Sequence, residues 1–387
     1  MPAKPHGSPF PQVVMPSVDF DRTPFIVIWE TTQACDLACK HCRASAIPGP
    51  IPGELTTEEG KGLIDQVADM GAPLLVLTGG DPATRADLFE LVRHGKSRGL
   101  RMATIPAATP RLTRDLICRL KEAGLDQVAF SLDFPTAEPH DSFRGVPGAF
   151  ARTIEAVGWA KECGLPPQIN TCVWGGSAPH LAEMAALVEK LGAVFWEVFF
   201  LVPTGRGTDI AGLSAEYCEE LFQVLMEAQA KKKFILKVTE APHYRRYLAQ
   251  HHSEEHGRAA PQHAPAAAPD ARGSLQLAHR GVNAGSGFLF VSHLGGIFPS
   301  GFLPASAGNI RETKLVTAYR DSELFRDLRN PAKLKGRCGR CPFAGPCGGS
   351  RSRAFALTGD WLETDPWCSY EPPAVVPGKK KAKIART

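Results

Sequence analysis

The sequence predicts an α/β protein: a partial, TIM-like (β/α)6 barrel followed by a small C-terminal cysteine-rich domain. Three observations carry this. Six short apolar, β-branched runs alternate with helical patterns through the first 235 residues or so. A glycine closes the helical pattern just before the next run in five of those units. Of the 11 cysteines, seven fall into two groups, one near each end of the chain.

The runs are "PFIVIWE", "PLLVLTGG", "LRMATIP", "DQVAFSLD", "PQINTCVW" and "AVFWEVFFLVP". They are apolar enough for burial on both faces, which means parallel strands joined by helical crossovers. Between and after them lie helical patterns such as "TTEEGKGLIDQVADMG", "RADLFELVRHGKSRG", "LTRDLICRLKEAG" and "APHLAEMAALVEKLG", stopped by Gly71, Gly99, Gly124, Gly164 and Gly192. Six units are fewer than the eight that close a barrel, so the sheet is expected to stay open. Its chemistry should collect at the C-terminal ends of the strands.

These patterns divide the chain into a flexible N-terminal segment (1–20), the barrel (21–235), a connector (236–286), the cysteine-rich domain (287–372) and a basic tail (373–387). The connector holds an Ala/Pro/His-rich insert whose histidines, His251, His252, His256, His263 and His279, are irregularly spaced and read as solvated. In the cysteine-rich domain a hairpin-like "GFLFVSHLGGIFPSGFLP" and a short helix at "DSELFRDLRN" precede the second cysteine group. The net charge of +4 resides in the tail "KKKAKIART", which argues against a nucleic-acid surface. The longest apolar stretch is broken by Glu197 and too short to span a bilayer, and the start of the chain has no apolar signal core. A soluble, cytoplasmic protein is expected. In a reducing compartment its cysteines serve metal or redox chemistry rather than a disulfide framework, with Cys118, Cys163, Cys172 and Cys218 as buried small hydrophobes.

The first group, Cys35, Cys39 and Cys42 in "ACDLACKHCRAS", directly follows the first strand. Thiolates suit zinc or iron–sulfur clusters. A closed zinc site wants a fourth ligand, and His41 is the one at hand, although its ring competes for space with the adjacent Cys42. A [4Fe–4S] cluster on three thiolates instead keeps one iron open. The CxxxCxxC spacing of "CDLACKHC" resembles the radical S-adenosylmethionine (SAM) superfamily. That resemblance implies that SAM chelates the open iron and is cleaved by an electron from the cluster to a 5'-deoxyadenosyl radical. His41 then packs beside the cluster and the adenine. "TGGDP", Thr78, Gly79, Gly80, Asp81 and Pro82, is similar to the superfamily's Gly-Gly-Glu-Pro turn, with Asp81 one methylene shorter than the usual Glu. It implies backbone and carboxylate contacts to the SAM ammonium. Ser131, Asp133 and Asn170 resemble ribose-side contacts, Arg144 a partner for the SAM carboxylate, and the backbone near Val202 and Pro203 a border for the adenine.

Cys338, Cys341, Cys347 and Cys368 supply four thiolates. Taken alone they fit a zinc ribbon. Beside the first motif, "CGGSRSRAFALTGDWLETDPWC" resembles the SPASM-type auxiliary iron–sulfur domain, in particular that of proteins related to the haem-biosynthetic branch, whose members remove or convert propionate side chains. With Ser300 where an upstream cysteine is expected, and no thiol near Val282 or Asn283, one auxiliary [4Fe–4S] cluster is implied. The resemblance implies a radical SAM oxidoreductase acting on a peptide, protein or tetrapyrrole, reduced by a flavodoxin or ferredoxin, with neither nucleic acid nor membrane as partner. The alternatives are a zinc-stabilised binding module and a non-catalytic iron–sulfur electron carrier. "EAPHYRRY" reads first as a solvated helix start with basic residues; the alternative is that it lines the substrate mouth, with Arg245 and Arg246 on substrate carboxylates and His243 or Tyr244, the sole candidates for a catalytic residue, relaying a proton.

Overall fold

The computed structural model describes residues 18–255 and 280–373. Most of the N-terminal segment, the tail from residue 374, and His256, His263 and His279 of the insert lie outside the described residues.

The barrel runs β1 (Ile26–Glu30), α1 (Thr57–Asp69), β2 (Leu74–Thr78), α2 (Leu88–Ser97), β3 (Arg101–Thr104), α3 (Arg114–Glu122), β4 (Gln127–Ser131), α4 (Ala137–Arg144), α5 (Ala149–Glu162), β5 (Pro167–Val173), α6 (Leu181–Leu191), β6 (Phe195–Phe200) and α7 (Ala215–Lys231). Then come β7 (Ile235–Thr239), α8 (His243–Glu255), β8 (Phe288–Val291), β9 (Ile297–Phe298), α9 (Leu315–Asp321), α10 (Glu323–Leu328), α11 (Gly336–Gly339) and α12 (Arg351–Thr358). All six expected strands form, in parallel and in sequence order. The five helix-ending glycines all have φ between 71° and 99°, the left-handed region that a side chain disfavours. Helix starts are equally local: Thr56 and Glu59 close a capping box on α1, and Thr113 and Ser214 cap α3 and α7.

Among the described residues the sheet has nine strands in the order β7-β6-β5-β4-β3-β2-β1-β8-β9. β8, the first arm of the hairpin-like stretch, pairs in parallel with the free side of β1, Ile26 against Phe288 through Trp29 against Val291. The reason is physical: with β2 on one side only, β1 would be an edge strand whose open backbone and fully buried Val27 and Trp29 need cover. The helices pack a single core on the outer face of the sheet, where Trp29, Leu63, Leu75, Leu91, Val128 and Trp196 are all fully buried.

Two local readings are corrected. Cys118 and Cys163, expected as free buried hydrophobes, form a disulfide with Cα atoms 5.1 Å apart. α3 packs beside α5, and this meeting of two helix faces across an intervening strand leaves no trace in sequence spacing. Cys172 and Cys218 stay free and buried. In addition, a helix not foreseen, α4, fills the link between β4 and α5, and it delivers Arg144 to the site. No helix among the described residues is long and apolar enough to cross a membrane.

Candidate active site

At the C-terminal ends of the strands lies a cavity of about 270 Å³. Its floor is the loop between β1 and α1 that carries Cys35, Cys39 and Cys42, and three neighbours clamp that loop. From β2, the Gly80 and Asp81 N–H groups donate to Thr32 O and Ala34 O, each at 2.7 Å. From α4, the Phe143 and Arg144 carbonyls accept from Lys40 N at 2.9 Å and Ala38 N at 3.2 Å. From the β6–α7 link, Arg206 donates Nε to Cys39 O at 2.9 Å and Nη1 to Ala46 O at 2.8 Å.

Gly80 has to be glycine for this seat, because a Cβ there would lie 2.3 Å from Ala34 O. Gly80→Ala is therefore expected to push the cysteine loop off β2 and lower both iron retention and SAM affinity at least tenfold. Iron analysis after anaerobic gel filtration checks this; a full iron complement would count against the seat.

Each sulfur of the trio accepts an N–H: Cys35 Sγ from Leu37 N and Cys42 Sγ from Ala46 N at 3.4 Å, and Cys39 Sγ from Arg144 Nη1 at 3.7 Å. Burial pushes the Cys35 thiol up to about 12 and raises Cys39 as well, with Arg144 opposing the rise at Cys39. Ionised sulfur at this depth calls for a cation against it. Among the described residues no three His, Cys, Asp or Glu side chains converge on a single-ion site. Thiols gathered on one loop without meeting at one point suit a polynuclear cluster better than one zinc ion.

The remaining expected residues separate into two sets. Thr78, Gly79, Gly80, Ser131, Asp133, Arg144, Asn170, Val202 and His41 line the cavity. His41 stacks on Phe143 with ring centres 4.4 Å apart, and its Nδ1 has no partner. Enclosure lowers its pKa to about 3, so the imidazole is neutral. Asp81 and Pro82 do not line the cavity. The fully buried Asp81 carboxylate turns back to cap the short turn Pro82–Thr84, accepting from Ala83 N at 3.0 Å, Ala107 N at 3.2 Å and Thr109 Oγ1 at 3.3 Å. Arg144 spends its guanidinium within the protein, on Cys39 Sγ and on Asp133 Oδ2 at 2.6 and 2.7 Å. Burial works against both charges, yet Arg144 holds Asp133 below the usual carboxylate range. Arg206, which the sequence reading passed over although it stands in the strand-end loop "PTGRG", lines the cavity with an unpartnered Nη2.

Cys338, Cys341, Cys347 and Cys368 line a second, separate pocket together with His243 and Arg246. Gly349 N donates to Cys347 Sγ at 3.4 Å and Arg351 Nη2 to Cys338 Sγ at 3.6 Å. His243 is fully buried with neither ring nitrogen hydrogen-bonded; Asp365 Oδ2 stands 3.6 Å from Nδ1. Four thiols and an orphaned imidazole around one small void fit a fully ligated cluster. "EAPHYRRY" thus faces inward, not the mouth of the first cavity. Tyr244 packs on Phe222, Arg245 donates to Val282 O at 3.0 Å, and Arg246 pairs with Glu219.

The two sites are tied together by buried polar groups. Arg353, fully buried, contacts Asp365 at 3.2 Å, donates to Leu201 O at 3.4 Å and to Glu240 O, and lies 4.0 Å from the centre of the Trp367 ring. Ser300 sits in the same network, its Oγ 3.4 Å from Glu240 Oε1.

Similarity to known proteins agrees with this arrangement. The radical SAM superfamily model matches residues 29–191. An AdoMet-dependent heme synthase of Oleidesulfovibrio alaskensis is 40% identical over 90% of this chain and 87% of its own. One from Methanosarcina barkeri is 40% identical over 91% and 98%. The crystal structure of Streptococcus suis SuiB bound to S-adenosylmethionine shares the fold, with a TM-score of 0.69 at 14% identity, over 90% of this chain and 78% of that one. A three-cysteine loop at the mouth of a partial barrel, matched by relatives of this identity and coverage, makes the chain a member of the radical SAM superfamily and an enzyme that uses SAM and a [4Fe–4S] cluster.

Proposed function

We propose that this enzyme acts on a tetrapyrrole and converts propionate side chains in the formation of haem. The observation that carries the reading is the 40% identity, nearly end to end, to two enzymes named as heme synthases. The cavity is also suited to a flat macrocycle, since Phe199, Phe288, Phe290 and Phe302 line it. A peptide, the other substrate class expected from the sequence, has no such extended flat face.

In this reading Cys35, Cys39 and Cys42 would hold the [4Fe–4S] cluster, with SAM bound beside it in the same cavity. The two cofactors together supply a primary carbon radical able to take a hydrogen atom. The chain's own groups position and enclose. Gly79 and Gly80 let backbone approach the SAM ammonium, with Thr78 and Pro82 flanking the turn. Ser131, Asn170 and the backbone at Val202 border ribose and adenine, while Asp133 acts through Arg144, locking it against Cys39. His41, neutral and stacked on Phe143, walls the cluster. Arg206 Nη2 is a better-placed donor for the SAM carboxylate than Arg144, whose fork is already engaged. Cys338, Cys341, Cys347 and Cys368 hold one auxiliary [4Fe–4S] cluster in the 287–372 domain, as an electron site behind the 21–235 barrel, and a flavodoxin or ferredoxin reduces the enzyme.

Turning one propionate into a vinyl group removes carbon dioxide, one hydrogen atom and one electron. The hydrogen atom would be taken up by the radical chemistry that SAM and its cluster supply, and the electron by a cluster that Cys338, Cys341, Cys347 and Cys368 would hold. Anaerobically reconstituted protein given dithionite, SAM and iron coproporphyrin III is expected to form 5'-deoxyadenosine and a porphyrin that has lost carbon dioxide. SAM cleavage with the porphyrin unchanged in mass would overturn the substrate assignment.

A further inference from the structure

Next to the last cysteine of the loop stands Arg43, for which the superfamily resemblance implies no role. Its side chain leaves the cluster loop toward the β1/β8 side of the cavity, where three separate segments fix it. Nη2 donates to Glu30 Oε1 at 2.6 Å, at the end of β1. The other oxygen of Glu30 meets His293 Nδ1, just beyond β8, at 2.9 Å. The guanidinium lies 4.6 Å from the centre of the Phe290 ring. Gly301 leaves the room this needs, because a Cβ there would come within 3.1 Å of both Arg43 Nε and the Phe290 ring. The Glu30 side chain is 3% exposed and that of Arg43 22%, so the carboxylate is sealed in while the cation opens on the cavity.

The three cavity arginines differ in what they have left to give. Arg144 is spent on Asp133 and Cys39, and two of the three guanidinium nitrogens of Arg206 are spent on backbone carbonyls. Among the described residues Arg43 has one hydrogen-bond partner, Glu30, which leaves Nε and Nη1 uncommitted. Nη2 carries two N–H groups and Glu30 takes one, so one of the two guanidinium edges, Nε/Nη2 or Nη1/Nη2, keeps both its N–H groups for a carboxylate. Around it Phe288, Phe290 and Phe302 line the same cavity. An anchored, largely buried guanidinium that opens on the cavity beside an aromatic wall is complementary to a ligand with a flat apolar body and a carboxylate on its rim.

We propose that Arg43 is the carboxylate anchor of the substrate site, pairing with one propionate of a tetrapyrrole whose ring lies against the Phe288/Phe290/Phe302 wall. This rests on the tetrapyrrole reading and goes further by naming the contact. Glu30 and His293 are its positioning residues: they hold the fork in one orientation, which limits the side-chain entropy lost on binding.

The test is a titration of the reconstituted protein with coproporphyrin III, followed by its absorption band, for the unchanged chain, Arg43→Gln and Arg43→Lys. The expected result is at least tenfold weaker binding for Arg43→Gln and partial recovery with Arg43→Lys, which restores the charge without the fork. Retention of the iron–sulfur absorption by both variants shows that the loop is intact. Binding by Arg43→Gln within twofold of the unchanged chain overturns the anchor while leaving the tetrapyrrole reading standing. Should the variants lose their clusters, the tetramethyl ester of coproporphyrin III decides the matter on the unchanged chain. The ester is expected to bind at least tenfold more weakly than the acid, and equal binding overturns the anchor. If the unchanged chain binds neither porphyrin, the anchor falls together with the tetrapyrrole reading.

Discussion

Cys39→Ala is expected to abolish 5'-deoxyadenosine formation and to lower the iron of the reconstituted protein from about eight atoms per chain to about four, as loss of one of two four-iron clusters implies. Cys39 sits at the centre of the clamp: its sulfur accepts from Arg144 and its carbonyl from Arg206. On the proposed assignment, removing the thiol takes away a cluster ligand and also leaves Arg144 without its sulfur acceptor beside the buried Asp133. Cys35→Ala and Cys42→Ala should behave alike, because each removes one of the three sulfurs that line the same cavity. Cys218→Ala is the control. That thiol is fully buried in the main core and lines neither cysteine pocket, so iron content and SAM cleavage should be retained with a loss of about 1 kcal/mol in stability. Iron analysis and chromatography of the nucleoside read out both variants. Full SAM cleavage by Cys39→Ala would remove the basis of the site.

The second large effect is on stability. Arg353→Leu is expected to cost about 3–5 kcal/mol, the usual penalty for stripping one partner from a buried ion pair. Arg353 and Asp365 are both fully buried, and Arg353 also serves the carbonyls of Phe200, Leu201 and Glu240. Without it Asp365 keeps a charge with no cation facing it at bonding distance, and the ends of β6 and β7 lose their tie to α12. The double variant Arg353→Leu with Asp365→Asn should recover part of the loss, since the stranded charge is gone. Urea midpoints of the three proteins decide between this account and a plain packing loss, in which the second substitution would recover nothing.

Much of the barrel was legible because its signals are local. Apolar runs and the helix stops at Gly71, Gly99, Gly124, Gly164 and Gly192 each depend on a few neighbouring residues. The cysteine loop was legible for the same reason, as its spacing is written in eight consecutive positions. What could not be read is which distant segments meet. The pairing of β8 with β1, the Cys118–Cys163 bridge and the placing of His243 beside the second cysteine group are all decided by packing between remote parts of the chain. Asp81 shows the subtler case. The turn "TGGDP" was found, but the shorter carboxylate closes on its own turn, and only the Gly79–Gly80 backbone faces the cavity. Arg43 and Arg206 were in view in motifs already singled out, yet long-range partners such as Glu30 and Cys39 are what give each its orientation.

The union of β1 with β8 also sets a timetable. During synthesis Ile26 leaves the ribosome long before Phe288 exists, and at ordinary elongation rates the wait is on the order of tens of seconds. Until then the strand that leads into the three-cysteine loop has one flank bare, and the Glu30–His293 contact cannot form. The nascent protein therefore reaches nearly full length before the three-cysteine loop is walled on that side, and on the proposed assignment of that loop to the cluster, delivery of the cofactor belongs after translation rather than during it. An arrested chain ending before β8 should accept iron and lose it quickly to a chelator, whereas the finished chain should hold it.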